Sequence, residues 1–331
     1  MRLLALVEGT DHVCCRYRLR AFLPALHAEG HDVAIEGLAR GVVLRLWQFM
    51  RASRRDAVFL QRRLLPEVQR RCLRRATRRL IYDFDDALFH RDSYDPRGIF
   101  DPVRERRFGA LVSGADAVIA GNALLARQAM ERGAASASVA VIPTCVEPDR
   151  YPQAQHGPRP DGLTLVWIGS SSTLQGLRRD REMFHRIGLA CPGVRLKVIC
   201  DTFPDLGALP VVAVPWREGS EAGDLASCDV GISWIPDDPW SAGKCGLKTL
   251  QYQAAGLPVI ANPVGVQRDM VQPGTTGFLA ASTDEFVNAI RQLSADAGLR
   301  ARMGRAARER VEREFSINVW ERSFVRAVTG A

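Results

Sequence analysis

Two lysines stand four residues apart in Gly243-Lys-Cys-Gly-Leu-Lys248, in a 331-residue chain that carries three lysines against 42 arginines. A helical pattern follows, so this segment reads as a helix start. Backbone N–H groups there bind anions, and an ammonium adds a compact charge suited to phosphate. A phosphate-bearing ligand is therefore expected at Lys244, Cys245, Gly246, Leu247 and Lys248; ordinary solvated first-turn lysines are the competing account. A second cluster, Asp83-Phe-Asp-Asp86 followed by His90, ends an apolar run. Three carboxylates at a strand end repel one another unless they meet a cation, a sugar hydroxyl or a proton. Helix capping explains one of them but not all three. Asp85 and Asp86 are read as sugar-binding or general-base groups, with His90 as a weaker catalytic choice. No second acidic cluster completes a cage, so sugar hydroxyls rank above a metal ion.

Two further loops leave strands for helices. Gly169, Ser170, Ser171 and Ser172 offer N–H and O–H donors to an oxyanion, although Ser and Thr are also common helix caps. Gly9 would let a ligand approach the backbone, and Arg16 at the start of the next helix suits a phosphate. No G-x-G-x-x-G and no G-x-x-x-x-G-K-[ST] occurs, which disfavours dinucleotide cofactors and the P-loop.

The elements that must position these groups alternate short apolar runs with amphipathic helical patterns, the signature of parallel sheets with crossover helices. Expected strands are 3–7, 32–35, 57–60, 80–83, 117–120 and 139–142, then 164–168, 195–200, 211–214, 230–234 and 258–261. Expected helices include 16–29, 64–79, 122–131, 177–191, 248–255, 284–293 and 297–315. The run Tyr151 to Gly162 holds three prolines and two glycines and breaks both periodicities. It separates a domain of residues 1–152 from one of 153–315, with a C-terminal helix in 316–331 returning to the first. Ligands of such doubly wound lobes sit beyond the carboxyl ends of the strands, which makes an inter-lobe cleft the expected site.

Composition, at 47% hydrophobic and 25% charged residues, is that of a soluble globular chain. The net charge of +8 lies mostly in residues 1–150, which carry +7. The arginine pairs at 62–63, 70–71, 74–75 and 78–79 are expected on one helical face, a surface for peripheral membrane contact or an acidic substrate. No aromatic interleaving or DNA-binding signature accompanies them, so no nucleic-acid partner is expected. Eight scattered cysteines without metal spacing imply a reducing cytoplasm. No apolar run approaches the roughly 18 residues that span a bilayer.

Taken in order, Cys15-Arg-Tyr-Arg18, Tyr82-Asp-Phe-Asp-Asp-Ala87, Val141-Ile-Pro-Thr144, Trp167-Ile-Gly-Ser170, Pro236-Asp-Asp-Pro-Trp240 and Gly243 to Leu250 running into Ala255-Gly-Leu-Pro-Val-Ile260 resemble the GT-B glycosyltransferases of family 4. In particular, the chain is similar to bacterial members among polysaccharide-assembly enzymes. The resemblance implies an α/β fold of two doubly wound Rossmann-like lobes and retaining transfer of a sugar from a nucleoside diphosphate to a glycan or lipid-linked acceptor. It implies no metal or other cofactor. The donor would lie on the second lobe, its diphosphate on Gly246-Leu247 and the Gly169–Ser172 loop. Of the two glutamates that the family often carries eight residues apart, the positions here read Gly243 and Gln251. Gln251 retains hydrogen-bonding capacity for a ribose. The loop cations expected after Gly169 are replaced by Ser171 and Gln175, and Lys244 is the expected substitute charge. The resemblance also leaves open a catalytically inactive sugar-nucleotide-binding subunit, or an epimerase or hydrolase of the same fold.

Overall fold

The computed structural model describes residues 1–330 and divides them into two compact units. The first comprises Met1–Cys145, Asp238–Cys245 and the C-terminal segment from Ile317; the second comprises Val146–Asp237 and Gly246–Ser316. Chain continuity therefore does not coincide with unit membership: Lys244 and Cys245 fold with the first unit, and Gly246 to Gln251 with the second.

The first unit is built on strands β1 (Arg2–Val7), β2 (Asp32–Gly37), β3 (Ala57–Gln61), β4 (Leu80–Phe84), β5 (Ala117–Ala120) and β6 (Val139–Val141). They pair in parallel in the order β2-β1-β3-β4-β5-β6. Every residue of β3, β4 and β5 is buried, because crossover helices cover both faces of a parallel sheet. Alternation along β1 divides the core: Leu4 and Leu6 join one apolar cluster with Phe49, Tyr82 and Phe108, while Leu3, Ala5 and Val7 join another with Phe22 and Phe324. The C-terminal helix Ile317–Thr329 belongs to this second cluster, its Phe324 ring stacked 4.3 Å from Phe22.

The second unit repeats the plan with β7 (Thr164–Ile168), β8 (Arg195–Cys200), β9 (Val211–Pro215), β10 (Val230–Ser233), β11 (Val259–Ala261) and β12 (Gly277–Leu279). Their order is β12-β11-β10-β7-β8-β9, again parallel. In each sheet the chain reverses its direction of growth beside the first strand. Doubly wound folds open their ligand crevice at that switch point, beyond the carboxyl ends of the strands.

Several elements depart from their expected bounds. The helix expected over 64–79 is Glu67–Ala76, with Pro66 at its N-cap and extended Thr77 at its end. Arg62, Arg63, Arg78 and Arg79 consequently lie outside it, and the arginine pairs do not form one face. Most are spent locally: Arg63 bonds Glu8, Arg70 and Arg71 bond Glu67, Arg74 bonds Asp116, and Arg79 donates to the Val328 carbonyl. The pattern expected as one helix over 177–191 begins earlier and breaks at Asp180, as Ser171–Arg179 and Arg181–Ala190. Helices Val42–Ala52 and Pro102–Gly114 and strand β12 are additional to the expected set. Among the described residues, no helix is long and apolar enough to cross a membrane.

Candidate functional site

In the first unit, the strand-end carboxylates separate into two roles. Asp83 is fully buried on β4 and accepts from Arg18, which is 2% exposed, at 2.6 and 3.0 Å from the guanidinium. Arg18 also donates to the Ile142 carbonyl, and Gln61 supplies a further bond to Asp83. Burial pushes the Asp83 carboxyl up from its ordinary value, and Arg18 opposes that shift. Asp83 thus ties β4 to the helix after β1 and is not a surface-facing acid.

Asp85 and Asp86, past the end of β4, converge on Arg62 at the end of β3. One guanidinium nitrogen of Arg62 bonds Asp85 and the other lies 2.7 Å from Asp86. Its Nε faces Glu8, after β1, at 3.9 Å. Arg62 is the one non-glycine with positive φ (60°) among the described residues, a conformation that L side chains seldom adopt and that concentrates at functional sites. Burial raises the Asp85 pKa, but the nearby Arg62 and Arg18 outweigh it and leave the carboxyl below its usual range. At neutral pH Asp85 is an ionised group, able to accept a proton or a hydroxyl hydrogen bond, not a general acid.

Lys244 joins this cluster, its Nζ 3.9 Å from Asp86 and 5.3 Å from the Trp240 ring centroid. Its backbone is held by Asn122, whose amide donates to the carbonyls of Gly243 and Lys244 while its carbonyl oxygen caps the helix Ala123–Glu131. Cys245 is buried beside Asn122, 3.4 Å from its amide, and burial pushes its thiol up. Cys245 is therefore packed as an apolar side chain. His90 lies edge-on to Phe89 and Phe100, and burial, helped by Arg132, lowers its pKa. Gly9 accepts from the His12 N–H, and its Cβ position is unobstructed. Arg16 rests over the Tyr17 ring.

Gly243 occupies a tight position. A Cβ there would lie 2.8 Å from the Ala87 Cβ and 3.0 Å from the Ala87 nitrogen. Gly243→Glu is therefore expected to destabilise the protein by about 1–3 kcal/mol, the usual cost of overpacking. Urea unfolding checks this, and a variant as stable as the parent would show that the loop yields.

The second unit assembles the other loop residues. Lys248 lies in the first turn of helix Leu247–Ala254, with its ammonium 5.1 Å from the Trp167 ring centroid and 3.4 Å from the Thr173 hydroxyl. A Cβ on Gly169 would come within 2.8 Å of Lys248 Cε, so the lysine stem lies against the loop that leaves β7. The helix begins on Gly246 at φ 67°, where a Cβ would also strike the Met270 sulfur at 2.3 Å. Only glycine suits that turn. The loop's own N–H groups are engaged: Gly169 donates to Ile199, Ser170 to the Thr173 hydroxyl and Ser171 to Asp201. The Ser170 and Ser172 hydroxyls lie 2.8 Å apart. What this corner offers an anion is thus the Lys248 ammonium, hydroxyls and the unpaired N–H groups that any helix start leaves.

Gln251, one helical turn on, donates to Glu221 and Tyr151, each at 3.4 Å. Glu221 is 3% exposed and accepts from Trp216 Nε1 at 2.7 Å. Sequence reading missed Glu221, as it missed Arg62 as the partner of Asp85 and Asp86; no local spacing links either to its neighbours. Among the described residues, no group of three His, Cys, Asp or Glu side chains is arranged to hold a metal ion.

Two units of six parallel strands, each with its anion-suited or charged cluster beyond the strand ends, define the GT-B fold. The chain has this fold and carries, over residues 240–310, a segment matching the family Glycosyl transferases group 1. A 69-residue stretch, 20% of the chain, is 39% identical to D-inositol 3-phosphate glycosyltransferase of Kribbella flavida, and an equal stretch is 42% identical to that of Streptomyces avermitilis. These stretches make up 16% and 15% of those relatives' lengths. Among solved structures, Anabaena HepE in complex with UDP and glucose has a TM-score of 0.71 at 16% identity, covering 100% of both chains. Sucrose-phosphate synthase of Thermosynechococcus elongatus has a TM-score of 0.73 at 18% identity, covering 97% of this chain and 96% of its own.

Proposed function

We propose that this chain is a retaining glycosyltransferase that moves a sugar from a nucleoside-diphosphate donor, with UDP as the first nucleotide to test, to a glycan or lipid-linked acceptor. The observation that carries the reading is Lys248, laid across Trp167 onto the Gly169 loop at the start of helix Leu247–Ala254. A cation and a helix start on one corner stabilise a leaving diphosphate electrostatically, so the reaction as proposed needs no resident metal. Gln251 and Glu221 would take the ribose hydroxyls. In the first unit, Asp85, kept ionised by Arg62, and Asp86, bonded to the same guanidinium, would face hydroxyls of the sugar or acceptor. The likeness to HepE, whose structure holds UDP and glucose, and the group 1 segment support the class of reaction.

A thermal-shift series with UDP, GDP, ADP, CMP and dTDP tests the donor site. One nucleoside diphosphate is expected to raise Tm by several degrees, since a ligand at about 100 times its Kd adds about 2.7 kcal/mol, and the shift should vanish in Lys248→Ala. No shift with any nucleotide would overturn the reading. Turnover of a UDP-sugar without an acceptor would favour a hydrolase or epimerase. Binding without turnover under any acceptor would favour a binding subunit.

A further inference from the structure

Helix Val42–Ala52 is apolar on both sides yet covered on only one. Phe49 and Ala52 are buried, and Leu46 packs against the same core cluster. On the other side Val43 is 79%, Leu44 66%, Trp47 57% and Met50 61% exposed, spaced at three and four residues along one stripe. Val42 and, on the neighbouring helix Glu67–Ala76, Val68 are exposed as well. A cluster of large exposed apolar side chains on one element marks an interaction surface.

The charge around the stripe identifies what it meets. Between Glu36 and Asp56 the sequence contains no acidic residue and five arginines: 40, 45, 51, 54 and 55. Arg45 turns inward to the Ala39 carbonyl and Gln69, and Arg55 pairs with Asp32. Arg51 lies over the Trp47 ring, 5.3 Å from its centroid, and 3.6 Å from Glu36; Arg40 and Arg54 are exposed. Apolar side chains centred on a tryptophan and rimmed by arginines suit the headgroup boundary of an anionic bilayer, where the ring and aliphatic groups enter the acyl region and guanidinium groups meet phosphate.

We propose that helix Val42–Ala52 is a peripheral docking surface for an anionic phospholipid membrane. The proposal does not depend on the donor chemistry above, and it places membrane contact on an apolar stripe instead of on the arginine pairs at 62–79. Sedimentation of the full chain with vesicles of phosphatidylcholine alone, or of phosphatidylcholine with phosphatidylglycerol, tests it. Binding is expected to the anionic vesicles and to weaken with salt. Trp47→Ser with Met50→Ser should lower vesicle affinity at least about tenfold, from the lost apolar burial. Arg51→Gln with Arg54→Gln should lower it roughly thirtyfold on anionic vesicles only. All four side chains are exposed, so the fold should survive, as circular dichroism would confirm. Equal pelleting with both vesicle types, no pelleting, or unchanged binding by the double serine variant would overturn the proposal. So would a parent dimer that Trp47→Ser converts to monomer without any vesicle effect, which would make the stripe an interface between copies of the chain.

Discussion

Arg18→Ala should cost about 3–5 kcal/mol of stability, because it leaves a buried carboxylate without its counter-ion. Asp83 has no exposure, and Arg18 supplies its bonds from both Nε and a terminal guanidinium nitrogen. The same substitution also frees the Ile142 carbonyl, which Arg18 holds at 2.9 Å. Replacing both partners, as Arg18→Met with Asp83→Leu, should recover most of the loss, since a buried ion pair gains little over well-packed apolar groups. Urea unfolding of the two variants beside the parent measures this. A single variant within 1 kcal/mol of the parent, by the ~1 kcal/mol scale of ordinary substitutions, would show that water reaches Asp83 and that the pair is dispensable.

The second large effect is expected at Lys248. If its ammonium stabilises the departing diphosphate, Lys248→Ala should lower kcat about 100- to 1,000-fold, the range for losing one preorganised charge-stabilising group. Lys248→Arg should recover only part, because a planar guanidinium does not fit where a compact ammonium lies between Trp167 and Thr173. Release of the nucleoside diphosphate from the donor identified by thermal shift provides the assay. Arg74→Ala, which removes a surface bond to Asp116, is the reference and should leave turnover unchanged. Equal rates for Lys248→Ala and Arg74→Ala would remove the anion site from this corner.

Much of this architecture was legible in residue order. The runs that became β1, β3, β5 and β7 are short and apolar, as strands buried on both faces must be. Gly246 could be placed at a helix start because the following periodicity is helical, and the carboxylates after β4 stood out because like charges at a strand end need partners. Element edges were less legible. Pro66 and Thr77 end the arginine-bearing helix early, whereas arginine itself is compatible with continuing it. Helix Val42–Ala52 escaped notice because apolar residues on both sides blur the 3.6-residue contrast that marks a half-buried helix.

The sequence by itself determined the class of fold, the run of carboxylates after β4 and the lysine-bearing turn, since all of these follow from patterns within a few residues. Tertiary structure alone decided which carboxylate is internal, through an Arg18–Asp83 pair 65 residues apart. It likewise joined Arg62 to Asp85 and Asp86 across 23 and 24 residues, and Glu221 to Gln251 across 30. It also assigned two lysines four residues apart to different units, Lys244 with Asp86 and Lys248 with Thr173. The physical reason is common to all of them: a charge is tuned by whatever lies within a few ångströms of it, and parallel strands bring the ends of distant segments that close only after the sheet has formed.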